Sequence, residues 1–268
     1  MSIAEKLTTI AENEIKVYET GKQAKRKEFW DTYQTNGTRK SYRTAFAGEG
    51  WKNEIFDPIY DIEPTNAYGM FWYSKISGDF AQLIEDLGIT FNTSKSSNNQ
   101  YLFGLCDLIT RVGVISFEET STAPGAFQGC TSLETIEGLI FKEDGTTTFQ
   151  NTFANNNNLR NINEIKGIIG TKIEFQQSTK LSRDSILGKE ATAEQIAEGK
   201  NIVSLSNGKF YGGIFGALSD TATGQTLTLS KTAVNNAFYD EADGVEGSKG
   251  RLWTELIATK PNWTISLI

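Results

Sequence analysis

The residues of this chain whose types could do chemistry are two cysteines, Cys106 and Cys130, and a few close-set acids. A thiol acts as a nucleophile when a base lowers its pKa, and as a metal ligand when others join it. The 268 residues contain no histidine, so Ser-His-Asp and Cys-His catalysis are excluded within the chain. Two cysteines without further ligands argue against a metal site. Asp240, Asp243, Gly244 and Glu246 resemble a calcium loop but lack its Asp-x-Asp-x-Asp-Gly order, so a solvated acidic loop is expected. Glu118 and Glu119 could supply the two carboxylates of glycoside hydrolysis, yet neighbours on a strand point to opposite faces. The Gly-rich stretch NGKFYGGIFG (207–216) lacks the Gly-Lys-Ser/Thr ending of a phosphate-binding loop. Asn-x-Ser/Thr sequons at Asn36, Asn92 and Asn262 carry weight only in a glycosylating host. No catalytic residue and no cofactor is expected.

The cysteines belong to a recurring phrase whose best copies read Phe-x-x-Cys-x-x-Leu-x-x-Ile. It begins at Phe46, Phe71, Phe103, Phe127, Phe153 and Phe175, in steps of 25, 32, 24, 26 and 22 residues. That period predicts a stacked solenoid, α/β or mainly β, with parallel strands from successive coils. The regular copies align Phe103, Cys106, Ile109 and Val112 with Phe127, Cys130, Leu133 and Ile136, then with Phe153, Asn156, Leu159 and Ile162. Phe175, Ser178 and Leu181 form the last copy. Small polar or polarisable side chains at Cys106, Cys130, Asn156 and Ser178 would satisfy backbone groups of a buried turn, rung by rung. On adjacent rungs the cysteines are within disulfide geometry, but a stacked pair of free thiols is the preferred reading.

Four segments follow. Residues 1–37 read as a helix with a stripe at Ile3, Leu7, Ile10 and Val17, an oligomerisation or attachment element, or else a lone amphipathic helix on its own domain. Residues 38–98 form an aromatic-rich N-terminal cap with degenerate repeats. Its aromatic run is read first as core and second as a sugar-binding platform. Phe80–Leu87 suits a helix that lengthens the step before Phe103. Residues 99–186 carry the regular repeats. Residues 187–268 hold an insertion, from Leu187 to about Tyr211, and a strand-helix-strand capping unit expected to continue the sheet. The net charge of −7 argues against a nucleic-acid partner. No stretch is apolar enough to span a bilayer, and the N-terminus lacks a signal-peptide pattern.

The phrases Leu102-Phe-Gly-Leu-Cys106 and Ala126-Phe-Gln-Gly-Cys-Thr-Ser-Leu-Glu-Thr-Ile136 resemble leucine-rich repeats of the bacterial surface-protein type. A narrower resemblance runs through MSIAEKL, VYETGKQA, FWDTYQTNG, AFAGEGW, FDPIYDI, TKLSRDSI, ALSDTATGQTLTLSKTAVNNAF and ATKPNWTISLI. It is to leucine-rich repeat proteins encoded in phages and prophages of gut bacteria, beside tail and baseplate genes. That resemblance implies a non-enzymatic virion component, made in the host bacterial cytoplasm and mounted at a tail tip or baseplate. Its partners would be other tail proteins and a host cell-surface glycan or protein, and its N-terminal helix would be an attachment or trimerisation element. A bacterial protein-binding module of prophage origin is the alternative, and a carbohydrate-active enzyme the third.

Overall fold

A computed structural model describes residues 42–49, 61–239 and 250–268. The stripe Ile3, Leu7, Ile10 and Val17 and the loop at Asp240 to Glu246 lie outside the described residues. The described chain is an α/β structure built on parallel strands. In order these elements are β1 (Gly78–Asp79), α1 (Phe80–Asp86), β2 (Ile109–Ser116), β3 (Thr135–Ile140), β4 (Asn161–Ile162), β5 (Ile165–Lys166) and β6 (Ile173–Phe175). Then come α2 (Arg183–Ile186), α3 (Ala193–Glu198), β7 (Val203–Ser204), β8 (Phe210–Tyr211), α4 (Gly213–Ala217), β9 (Gln225–Leu229), α5 (Lys231–Phe238), α6 (Gly250–Ala258) and β10 (Trp263–Leu267).

A parallel sheet runs β1-β2-β3-β4, with β5 also paired to β3. Its register puts Val112 beside Ile136 and Ile136 beside Ile162, and likewise Ile115 beside Leu139 and Leu139 beside Ile165. Equivalent residues of successive phrases therefore stack. Apolar columns at Ile109, Leu133, Leu159 and Leu181 and at Val112, Ile136 and Ile162 are buried as a result. The six phrase phenylalanines form one unbroken column of near-parallel rings, with neighbouring centroids 5.5, 5.1, 5.7, 5.4 and 4.5 Å apart. Offset-parallel rings at such distances add to the burial each ring already gains. A second stack pairs Phe117 with Phe141 at 5.8 Å, and Phe149 packs edge-on against both.

Around the first four column phenylalanines the backbone divides its hydrogen bonds between two directions. The amides of Phe46, Phe71, Phe103 and Phe127 donate to Met70, Leu102, Ala126 and Thr152, the residues just before the next phenylalanine. The amides two residues earlier and two later do the same: Tyr101 to Pro124 and Leu105 to Gln128, then Gly125 to Gln150 and Gly129 to Ala154. The amides between them turn back on their own rung, as Leu102 does to Asn99 and Gly104 to Tyr101, and the next one on, Cys106, turns back to Phe103. This alternation requires left-handed residues at both flanking positions. They are Thr44, Gly69, Tyr101, Gly125 and Asn151 before the phenylalanine, and Gly48, Tyr73, Leu105, Gly129 and Asn155 after it, all with positive φ.

Phe175 ends this pattern, because it lies in an extended strand and its neighbours Ile173 and Gln177 are not left-handed. That change sets how the C-terminal unit attaches. Instead of extending the sheet of β1 to β5, β9 pairs with β6, and β10 with β9, in a separate parallel sheet. The expected continuation of the first sheet is thus corrected. The second sheet prolongs the flank on which Asn98, Thr122 and Thr148 bridge in sequence and Phe149 bridges Ile173. A hydroxyl ladder seals the same flank: Thr120 donates to the carbonyl of Ser96, Thr147 to Thr120 and Thr171 to Thr147, at 2.7, 2.7 and 2.6 Å.

Candidate binding face

The expected polar ladder lies in the core. Cys106, Cys130, Asn156 and Ser178 are fully buried, and Ser74 joins them one rung earlier. The Cys106 thiol donates to the carbonyl of Phe71 at 2.9 Å, and the Cys130 thiol to that of Phe103 at 3.0 Å. Asn156 reaches back instead, its Oδ1 accepting from the Cys130 amide at 3.1 Å. Ser178 Oγ and Asn156 Nδ2 find no partner, so satisfaction of the turn weakens over the last two rungs of the ladder. Both cysteines are free. Burial pushes the Cys106 thiol up to about 11 and the Cys130 thiol well above its usual value. These thiols are structural donors, the reverse of activated nucleophiles.

The remaining polar candidates are surface features. Glu119 pairs with Lys95, and Glu118 accepts from the Ser116 hydroxyl two residues away. The Gly-rich stretch forms β8 and α4, and its glycines serve contact between backbones. A Cβ on Gly213 would lie 2.5 Å from the Gly188 amide nitrogen, and one on Gly216 would lie 2.3 Å from the Asn201 carbonyl oxygen. Asn92 accepts from the Ser94 amide in a local turn, and Asn262 donates to Asp220. Among the described residues no three acids, cysteines or histidines come together as a metal site would need. No described helix is long and apolar enough to cross a membrane.

Among the described residues the aromatic run between Tyr42 and Ile89 divides into two populations. Tyr42, Phe46, Phe71 and Phe80 are core, while Trp72 and Tyr73, the two residues after Phe71, stand 40% and 46% exposed. The left-handed backbone explains the split, since Phe71 turns inward and its successors are delivered to the outer edge of the same turn. Trp72 stacks on Tyr101 of the next rung at 5.8 Å and 24°. Tyr68 meets Tyr101 edge-on at 6.3 Å, and exposed Leu105 lies two residues past Phe103. Charged side chains are interleaved. The Arg43 guanidinium lies 4.6 Å above the Tyr68 ring and the Lys75 ammonium 5.5 Å from that of Tyr73. Lys75 also pairs with Asp107 at 3.1 Å. A hydrogen bond to Glu49 raises the pKa of the Tyr73 hydroxyl.

Among the described residues the face ends toward the C-terminal rungs. Where the second and third rungs carry Trp72, Tyr73, Tyr101 and Leu105, the next two carry Gly125, Gln128 and Gly129, then Asn151, Ala154 and Asn155. The glycines accommodate their large neighbours, for a Cβ at Gly125 would come within 2.4 Å of the Tyr101 ring and one at Gly129 within 2.6 Å of Leu105. No residue of this face was expected as a site from sequence beyond the general weighing of the aromatic run against a platform. Compared with protein-family models, with curated proteins and with solved structures, the chain matches none.

Proposed function

We propose that the chain is a leucine-rich-repeat-like solenoid acting as a non-enzymatic, host-surface-binding component of a phage tail or baseplate. The observation that supports this most is the exposed aromatic and charged face on the rungs of Phe71 and Phe103, built on a backbone that does nothing but stack. A binding role suits such a face, because Trp, Tyr and Arg carry most of the energy at recognition surfaces. A catalytic role has little to work with, since the buried thiols are held protonated and the chain has no histidine. The resemblance of the outer segments to prophage tail-associated proteins supplies the setting.

The test has two parts. Virions induced from the bacterium carrying the gene are purified and analysed by mass spectrometry, and the recombinant chain is incubated with host cells. The proposal expects the protein in virions and saturable binding to cells. It also expects a trimer by light scattering that becomes monomeric when residues 2–34 are removed. Absence from virions together with capture of one bacterial protein would instead make it an intracellular interaction module.

A further inference from the structure

We infer that the edge of β5 at Ile165 is a docking site for a short extended peptide, which adds there as a strand. The site is separate from the aromatic face and does not depend on the proposed tail role. Leu139 spends its amide on the carbonyl of Glu164, and Phe141 on that of Lys166, at 2.9 and 2.8 Å. Backbone groups of a strand alternate in direction, so the amide and carbonyl of Ile165, between those two, point away from β3. On that far side the chain itself closes both flanks. The Ile162 amide donates to Ser185 Oγ at 2.9 Å, α2 standing where the next strand would be. The Ile169 amide donates to the carbonyl of Ala217 at 2.8 Å, and its carbonyl accepts from the Ser219 amide at 2.9 Å. Between these closures the insertion leaves and returns at one point, for a Cβ on Gly188 would lie 2.3 Å from the Gly212 carbonyl carbon. Its strands β7 and β8 pair with each other. Among the described residues neither outward group of Ile165 is taken.

A cleft of about 450 Å³ lies at this point, lined by Ile165, by α2 and by the two ends of the insertion. That volume falls in the range of about 300–1,000 Å³ that holds small ligands. Asn163, Asp184, Thr192 and Gln195 give its walls amide, carboxylate and hydroxyl groups, so hydrogen bonds rather than apolar contacts select the occupant. A peptide matches the ladder directly. Its extended backbone carries N–H and C=O groups along one edge at the spacing of a ladder pair, and added strands bind by such main-chain bonds. Glu164 and Glu190, also at the cleft, are held by Lys166 and Lys209 at 2.9 and 2.7 Å. The peptide is therefore read through its main chain, and the closures at Ile162 and Ile169 limit the added strand to a few residues.

The full chain, isotope-labelled, is followed by amide NMR. In the free chain the Ile165 amide should exchange with deuterated water tenfold or more faster than that of Leu139, whose partner is in place. Titration with acetyl-Lys-Thr-Val-Thr-Glu-amide should shift the Ile165 amide and its neighbours at the cleft, saturably, and slow that exchange. The same peptide N-methylated at its three central residues, which keeps the side chains but loses the central donors, should bind tenfold or more weaker. Asp184→Trp, which puts a bulky ring on the exposed wall of the cleft, should remove the shifts with an unchanged melting temperature. The inference is overturned if the free Ile165 amide is as protected as that of Leu139, because another part of the chain or a second copy then holds the edge. It is equally overturned if the peptide shifts no resonance at the cleft, or if the N-methylated peptide binds as well.

Discussion

Gly125→Ala should destabilise the chain by about 2–3 kcal/mol, and the structure says where each part arises. Gly125 has φ +62°, and an L-residue in the left-handed region costs roughly 1–2 kcal/mol. The new methyl group would also sit 2.4 and 2.6 Å from Cε1 and Cδ1 of Tyr101, too close for contact, so the ring must swing away. Moving it breaks the stack on Trp72, worth about 0.5–1.5 kcal/mol. Urea unfolding followed by circular dichroism measures the sum, near a 1 M shift of midpoint for a slope of about 3 kcal/mol/M. Gly88→Ala is the control, because Gly88 has φ +64° and no atom within 4 Å of the added carbon. It should cost the backbone part alone. In a Tyr101→Gly background the Gly125→Ala penalty should fall by about 1 kcal/mol, the coupling expected of residues in contact. The reasoning is refuted if Gly125→Ala costs no more than Gly88→Ala, or if its cost is undiminished without the tyrosine ring.

The buried thiols predict alkaline sensitivity. Because Cys106 is raised from 9.0 to about 11, its contribution is complete below pH 9 and drains away toward pH 11, by about 1.4 kcal/mol per pH unit. Cys106→Ser with Cys130→Ser, which keeps both donors, should flatten the stability-pH curve over that window. At pH 8, iodoacetamide followed by mass spectrometry should label neither cysteine until the chain is unfolded. Asp79 caps α1 by accepting from the Gln82 amide at 2.9 Å and also pairs with Arg111 at 2.8 Å. Asp79→Ala should cost about 1–2 kcal/mol, chiefly as a lost cap. Asp79→Asn should cost clearly less in the same urea titration, and equal losses would assign the energy to the ion pair. Lys260 is 3% exposed, with its ammonium on the Leu218 carbonyl at 2.7 Å and the Asp220 carboxylate at 2.6 Å. Lys260→Met should cost about 1–3 kcal/mol by stranding the buried carbonyl, whereas Asp220→Ala, at an exposed position, should cost much less.

The columns of the core were legible in the sequence because each demands one kind of side chain at one offset. Phe103, Phe127 and Phe153 fill the same slot, as do Ile109, Leu133 and Leu159. The second ring stack was missed although its signal is present, Phe117 and Phe141 lying fourteen residues after Phe103 and Phe127. The left-handed positions escaped because no residue type unites them. Thr44, Tyr101 and Gly125 share a backbone angle and nothing else, and the hint is glycine or asparagine at both offsets in the Phe127 and Phe153 rungs. The hydroxyl ladder of Thr120, Thr147 and Thr171 escaped because the segment joining it to the phrase changes length between rungs. Exposure of Trp72 and Tyr73 beside buried Phe71 could not be read from an unbroken aromatic triplet, since the turn that separates them is set by stacking on the neighbouring rung.

That same geometry explains how a fixed stack can carry a variable surface. At the turn edge the contacts that build the stack from Phe46 to Phe153 are made by amides two residues before, at, and two residues after Phe46, Phe71, Phe103 and Phe127, whatever the side chains there. Tyr101 and Gly125 therefore hold the same backbone position while presenting a ring or nothing at all. The inward phenylalanine and the cysteine, asparagine or serine three residues on are constrained by their neighbours in the column, but the outward residues meet only the next edge. Changing Trp72 should accordingly cost binding and, through the lost Tyr101 stack, about 0.5–1.5 kcal/mol of stability, whereas changing Phe71, with rings packed on both sides, should cost several kcal/mol. Such a separation of cost is what a recognition surface on a scaffold requires, and it places the energetic weight of the chain one side chain away from its proposed function.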